Sequence, residues 1–351
     1  MDKRAQYIIL LSSRLQVGKS MKRVLDLPHT RRPSTCYVNG LYDMLAWKGA
    51  DYRYSLLPIV GGMAGFGYLK FKLAKPPFMV YWGNSPKYLL RELGEVVGFK
   101  QQVIEGRSWK SVSERIRQSI DQGEPVVAGA LDMYYLSYYQ DLHTKVHVPI
   151  HYVLIVGYDD EKGAYLVHDC SYDGVQEIPY ADLMRSLDVV VPGLSKKNTI
   201  RTFRLQARLP AELKVAEKGL KRKAEMMLRP PVSMFGIPAM RKLAKDIVNW
   251  DCGQCFDHMV AYAGMTPPLI PADLKECNGL RFEQAKLLRE LGQEYHRRQW
   301  TEASGLFDDS GELIVELCRH GVEHDGAKCG GILTEIADAE EKAYQVITKT
   351  A

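Results

Sequence analysis

An α+β domain followed by a helical domain is the architecture the sequence predicts, and three observations predict it. First, short β-like runs at 126–131, 151–156, 164–167 and 199–205 alternate with helical patterns in the first two hundred residues. Second, beyond Pro210 nearly everything reads as helix, with apolar residues at three- and four-residue spacing over 239–250, 278–300, 311–320 and 332–347. Third, Pro230-Pro231 and Pro267-Pro268 fall between those helical segments, where residues lacking an amide hydrogen end one helix before the next. The expected domains are therefore 1–208 and 209–351.

Within the first domain, Leu41, Met44, Leu45 and Trp47 recur at helical spacing after Cys36, which puts Cys36 at a helix start. The segments 87–97 and 109–122 also read as helices, the second closing at Gly123 ahead of the next strand. Helices come first and an antiparallel sheet follows.

Composition bounds the function. With 46% apolar and 25% charged residues over 351 positions, the chain suits one large or two medium globular domains. The apolar stretch at 7–11 is interrupted by Ser12 and Arg14, so it is too short for a signal peptide, and no longer run suggests a membrane span. Seven cysteines without an export signal point to free thiols in a reducing cytoplasm. The net charge of +5 is spread through the chain, which argues against nucleic-acid binding. Its local concentration at 214–223 reads as a solvated face before it reads as a dock for an acidic partner.

The chemistry-bearing residues are Cys36, His151 and Asp169. His151 heads an apolar strand that ends in Gly157 and the acidic turn Asp159-Asp160, and the next strand delivers Asp169, so two facing strands can set the imidazole beside the carboxylate. A thiol at a helix start feels the positive end of the macrodipole, which is expected to lower its pKa. Each residue alone has a plainer reading: Cys36 as a small buried hydrophobe, His151 as a core histidine, Asp169 as a turn cap. Together, in the chain order Cys, His, Asp, they favour a nucleophile, its base and the group that orients the base. His147 is the rival base, but it precedes Pro149 in an expected loop. Asp159, Asp160 and Asp173 compete with Asp169, yet sit in turns, where acids are normally structural.

A family resemblance follows from a series of segments in order. They are Thr35-Cys-Tyr-Val-Asn-Gly40, Gly61-Gly-Met-Ala-Gly-Phe-Gly-Tyr68, 89–98, Gly123-Glu-Pro-Val-Val127, Leu131-Asp-Met-Tyr-Tyr-Leu-Ser-Tyr138, 151–160 with Asp169, and Gln176-Glu-Ile-Pro-Tyr-Ala-Asp-Leu183. This series resembles the papain-like bacteriocin-processing peptidases and, more closely, the butirosin-biosynthesis H-type acyltransferases. It covers most of residues 30–190, and 236–250 looks like the helical C-terminal region that accompanies such domains.

The resemblance implies a papain-like cysteine-hydrolase fold and a thiol-dependent acyl transfer in secondary-metabolite biosynthesis, of the kind that makes antibiotics. In that family an acyl thioester on the phosphopantetheine arm of an acyl carrier protein passes to the enzyme cysteine and then to a small amine acceptor. Carried onto matching positions, Cys36 is the nucleophile, His151 the base and then acid, and Asp169 the orienting group. No cofactor of the enzyme's own is implied, since the donor carries the phosphopantetheine. Where the family commonly has a histidine just before the nucleophile, this chain has Thr35; the nearest upstream histidine is His29. No glutamine lies a few residues before Cys36, so the Cys36 backbone amide is the default oxyanion donor, with Asn39 and Tyr37 as alternatives.

Among the remaining motifs, the tyrosines at 134, 135, 138 and 139 either wall a pocket for a pantetheine arm or polar acceptor, Tyr134 and Tyr135 being the substrate-binding candidates, or pack against a helix. The glycine-rich stretch at 61–67 lacks the lysine and serine or threonine of a phosphate loop and reads as a flexible loop near the substrate channel. Cys252, Cys255 and His258, with Cys318, His320, His324 and Cys329, contain a CxxC pair, but their later spacings are irregular and no metal is expected. The expectation is thus a cytoplasmic acyltransferase with no membrane or nucleic-acid partner, whose exposed apolar second-domain faces allow a homodimer. A cysteine peptidase or amidase with the same triad, or an inactive binding protein of the same fold, are the alternatives.

Overall fold

The computed structural model describes residues 21–32, 36–71, 73–83, 86–192, 194–265 and 269–349. The apolar stretch at 7–11, Thr35 and Pro267-Pro268 lie outside them. In chain order the elements are β1 (Lys22–Val24), α1 (Cys36–Trp47), α2 (Leu56–Val60), β2 (Gly67–Lys70), β3 (Phe78–Tyr81), α3 (Pro86–Leu93), β4 (Phe99–Ile104), α4 (Trp109–Asp121), β5 (Val126–Leu131), β6 (His151–Asp159) and β7 (Ala164–His168). They continue with β8 (Val175–Pro179), α5 (Tyr180–Leu187), β9 (Ile200–Leu205), α6 (Glu212–Leu228), α7 (Gly236–Asp246), α8 (Gly253–Ala263), α9 (Arg281–Glu294), α10 (Arg298–Val322) and α11 (Gly326–Thr348). The class is α+β with a helical C-terminal region, as the sequence predicts.

By contacts the chain forms two units: residues up to Trp47 with Gln101–Phe203, and Lys48–Lys100 with Arg204–Ala351. A linear cut at 208 misses this exchange because it is made by long-range bonds. Within the second unit, the Arg53 backbone N–H and Nε donate to Glu212 (2.7 and 3.0 Å), Tyr52 Oη donates to the Pro210 carbonyl (2.6 Å) and Trp82 Nε1 to the Met259 carbonyl (3.2 Å).

The first unit is built on a seven-stranded sheet of order β4-β9-β5-β6-β7-β8, with β1 added antiparallel to the end of β6, where Val24 faces Gly157. β6 is buried along its whole length, so alternation gives it two apolar faces. Val153 and Ile155 join Val112, Ile116 and Ile120 of α4, whose four-residue spacing makes one buried stripe. Leu154 faces the other way, toward α1. Gly40 allows that approach: a Cβ there would stand 3.0 Å from Leu154 Cβ and 3.3 Å from Val127 Cγ2. An alanine there would force these side chains to give by a few tenths of an ångström, and a bulkier residue would demand more.

The second unit packs α9, α10 and α11 with α6–α8 and the β2–β3 hairpin. Its interior holds a buried ion pair, Arg281 Nε to Glu340 Oε1 at 2.7 Å, with Ser310 Oγ donating to the same oxygen at 2.8 Å. Three expectations change here. The helical run 278–300 divides into α9 and α10, because His296 adopts a left-handed backbone (φ 54°) between them. The basic run 214–223 is a solvated face only in part: Lys214, Lys218 and Lys221 are exposed, but Val215, Ala216, Leu220 and Lys223 of α6 are buried, and Arg222 pairs with Glu92 and Glu95. The stretch 61–67 is buried turn and strand rather than an open loop, its glycines allowing close packing; a Cβ on Gly61 would come within 2.7 Å of Leu89 Cγ. Among the described residues no helix is long and apolar enough to cross a membrane.

Candidate active site

α1 opens with Cys36, and its seat on the sheet sets the sulfur against the start of β6. The backbone N–H groups of Tyr152 and Tyr37 bond the thiol, and the Tyr37 ring lies edge-on to Tyr152 at 6.3 Å. One residue earlier in β6 is His151. Because Leu154 pairs with His168, the first residue of β6 lies opposite the chain just beyond β7, and that chain carries Asp169. His151 Nε2 is 2.7 Å from Asp169 Oδ2, both side chains being buried. His151 Nδ1 has no hydrogen-bond partner among the described residues.

Asp169 is firmly held. Tyr139 Oη donates to Oδ1 at 2.7 Å, Tyr138 Oη to Oδ2 at 3.0 Å, and the Ser171 N–H to Oδ1 at 3.0 Å. Burial alone would raise its pKa, but the hydrogen bond and charge of His151, the Ser171 N–H and the Tyr139 hydroxyl outweigh it and hold the carboxyl below the usual range. A buried carboxylate accepting this many donors must stay ionised, and Nε2 of His151 is then the donor. Its Nδ1 is left as the acceptor for a thiol proton.

The thiol departs from expectation. Burial above all, then Cys170 and Asp169, push the Cys36 thiol well above its ordinary value, although the Tyr152 and Tyr37 amides pull the other way. The helix start does not make a resting thiolate here, because a desolvated sulfur near a carboxylate costs more than the amide dipoles return. A nucleophilic role for Cys36 would therefore require its proton to be removed in the course of attack.

A second thiol stands beside the pair. The sulfur of Cys170 and the polar atoms of His151 and Asp169 all lie within 4.8 Å of one another. Cys170 is 2% exposed, whereas Cys36 is only half-buried. Sequence reasoning passed over Cys170, although its adjacency to Asp169 was the available signal.

The other candidates are distributed as follows. Asn39, on α1, is 2% exposed, and neither of its amide atoms has a hydrogen-bond partner among the described residues. His147 lies apart on a loop, its Nδ1 2.6 Å from Asp132 Oδ2 and its ring stacked on Tyr134 at 4.1 Å. Tyr134 and Tyr135 thus gather around His147, while Tyr138 and Tyr139 brace Asp169. Asp159 caps the turn at 161–162 through backbone N–H bonds, and Asp160 pairs with Arg117 at 2.5 Å.

A further hydrogen-bonded set joins His29, Asp43 and His168. Arg32 takes the second Asp43 oxygen at 3.3 Å, a fixed positive charge that opposes a cation at this carboxylate. The cysteines and histidines of the second unit do not gather in threes at ligating distance among the described residues, and none of the seven cysteines is in a disulfide.

Residues 35–170 match the family model described as butirosin biosynthesis protein H, N-terminal. No curated protein matches the chain. The matched segment contains Cys36, His151, Asp169 and Cys170; residues 171–351 lie beyond it.

Proposed function

We propose, from the premise that residues 35–170 belong to the butirosin biosynthesis protein H N-terminal family, that the protein is a cysteine-dependent acyltransferase of biosynthesis. The observation that carries this reading is the His151–Asp169 pair at 2.7 Å, with Nδ1 left unpartnered and Cys36 at the head of a neighbouring helix. The donor is an acyl thioester on the pantetheine arm of an acyl carrier protein, and the acceptor a small amine.

In the first half-reaction the Cys36 sulfur attacks the thioester carbonyl while its proton passes to His151 Nδ1. The tetrahedral oxyanion collapses, the pantetheine sulfur leaves with the proton from His151, and an acyl-Cys36 thioester remains. In the second, the amine attacks that carbonyl, gives its proton to His151, and the Cys36 sulfur departs and recovers it. Asp169 steadies the imidazolium formed in both halves. The raised thiol pKa supports proton transfer concerted with attack over a preformed ion pair. The Cys36 backbone amide at the start of α1 and the Asn39 amide, whose atoms have no hydrogen-bond partner among the described residues, are the candidate donors to the oxyanion.

Intact-protein mass spectrometry after incubation with acyl-pantetheine thioesters tests the reading. One added acyl group that is discharged by amines, with an amide as product, is the expected result. Discharge by water at the same rate with or without amine would make the protein a hydrolase instead.

A further inference from the structure

The segment before α1 carries a histidine that this reaction does not use. His29 Nδ1 lies 2.7 Å from Asp43 Oδ2, and its Nε2 lies 2.9 Å from the Tyr172 carbonyl oxygen. A carbonyl can only accept. Asp43 is likewise an acceptor, because burial, which would raise its pKa, is outweighed by hydrogen bonds from His168 and His29 that hold it below the ordinary range. Both ring nitrogens of His29 therefore face acceptors, and a neutral imidazole, with a single N–H, satisfies only one of them.

We propose that His29 is held as an imidazolium and is a positioning residue, its two N–H bonds tying the helix that begins at Cys36 to the loop that carries Asp169. Asp43 stands on α1, two turns beyond Cys36, and Tyr172 stands three residues beyond Asp169. Tyr172 passes the tie onward, since its Oη donates to the Tyr138 carbonyl at 2.8 Å and the Tyr138 hydroxyl bonds Asp169. A second strap runs parallel: the Arg32 N–H donates to the Cys170 carbonyl at 2.8 Å, and Arg32 Nη1 reaches Asp43 Oδ1.

The groups facing His29 fit a positive charge. Asp43 comes from α1. From β7, His168 stacks on the His29 ring at 4.3 Å and places Nδ1 3.0 Å from Asp43 Oδ2, a bond that one N–H of a neutral ring supplies. Arg32 approaches the far side of the same carboxylate, and the loop after β7 presents the carbonyls of Asp169 and Tyr172. Burial opposes protonation of His29, but the Asp43 hydrogen bond and charge, with the two carbonyls, raise its pKa above the ordinary value. The sign follows: the tie is complete below about pH 6.5 and is lost as pH rises through the raised value, when one of the two bonds must fail.

The protonation state stands by itself, while the catalytic consequence rests on the acyl-transfer reading, and the two are tested separately. Nitrogen-15 spectra of the full chain labelled at histidine, with His29 assigned by loss of its signal in His29→Gln, are taken at pH 6.5, where an unperturbed imidazole is about half protonated. Expected is a His29 ring protonated on both nitrogens; half protonation or less overturns the imidazolium. For positioning, kcat should fall roughly 10- to 100-fold in His29→Gln with KM little changed, and the wild-type decline of kcat at alkaline pH should be absent from the variant. A wild-type kcat and pH profile in a folded His29→Gln protein overturns the role. If wild type forms no acyl-Cys36, the acyl-transfer reading fails instead, and the iodoacetamide rate at Cys36 replaces kcat: a change of at least about 10-fold in His29→Gln is expected, and none overturns positioning.

Discussion

His151 Nε2 and Asp169 Oδ2 sit 2.7 Å apart at the adjoining ends of β6 and β7, and this contact decides which imidazole nitrogen is free for chemistry. In Asp169→Asn the Tyr139 and Ser171 donors are still satisfied by the amide oxygen, but the remaining amide N–H₂ then faces Nε2 and the Tyr138 hydroxyl. Nε2 must become the acceptor and Nδ1 the protonated nitrogen, which cannot take a proton from Cys36. Acyl-enzyme formation, followed by rapid quench and mass spectrometry, should slow by roughly 10⁴-fold, the cost of the wrong tautomer in a comparable triad. A loss below tenfold would mean that Asp169 is a structural cap.

Cys170 is grouped with His151 and Asp169, while Cys36 bonds the Tyr152 amide next along β6, so the site holds two candidate thiols, and exposure separates them. Cys36 is half-buried, while Cys170 is 2% exposed and follows the carboxylate directly. Cys36→Ala should abolish the acyl adduct, and Cys170→Ala should keep it with a rate within about threefold of wild type. Removing the Cys170 sulfur leaves only a small cavity, costing about 1 kcal/mol in thermal stability. An adduct that survives Cys36→Ala and vanishes in Cys170→Ala would transfer the nucleophile's role to Cys170.

Much of this site was legible in the sequence because its parts are local. Strands 126–131 and 164–167, the latter one residue longer in the structure, the helix after Cys36 and the spacing from His151 to Asp169 all follow from apolar patterning over a few residues. What escaped is non-local. No pattern within 48–100 announces that Arg53 will bond Glu212 or Trp82 the Met259 carbonyl, so the exchange between the two units was invisible. Nor does sequence say that Tyr138 and Tyr139, rather than Tyr134 and Tyr135, face Asp169, since that depends on how the loop between β5 and β6 folds back. The resting thiol was misjudged for a related reason: the helix start is a local feature, whereas the burial that outweighs it comes from the packed sheet.

His147 belongs to a surface histidine–carboxylate pair, in contrast to the buried pair of His151 and Asp169. Its Nδ1 is 2.6 Å from Asp132 Oδ2, a geometry like that of His151, but its side chain is 63% exposed and no thiol is grouped with it among the described residues. His147→Ala should leave the acyl-transfer rate within a few-fold and stability within about 1 kcal/mol, the usual limit for an exposed pair. His151→Ala should remove the reaction. The reverse outcome in a steady-state assay would overturn the assignment of the base.

Tyr139→Phe isolates the support of Asp169. The Tyr139 hydroxyl donates to Oδ1 at 2.7 Å, so its removal takes one hydrogen bond from a buried carboxylate and should cost about 1.5–3 kcal/mol in denaturant unfolding. It also changes the response to acid. The native Asp169 pKa lies below the unfolded value, so its contribution to stability is full above about pH 4 and is lost as pH falls through the native value. With one donor gone the native value rises toward the unfolded one, so less of that stabilisation exists at neutral pH and its loss on acidification begins at a higher pH. Circular dichroism on acid titration should therefore find the unfolding midpoint of Tyr139→Phe above that of wild type, with His151 chemistry still present at neutral pH. An unchanged acid midpoint would mean that His151 and the Ser171 N–H suffice to keep Asp169 ionised.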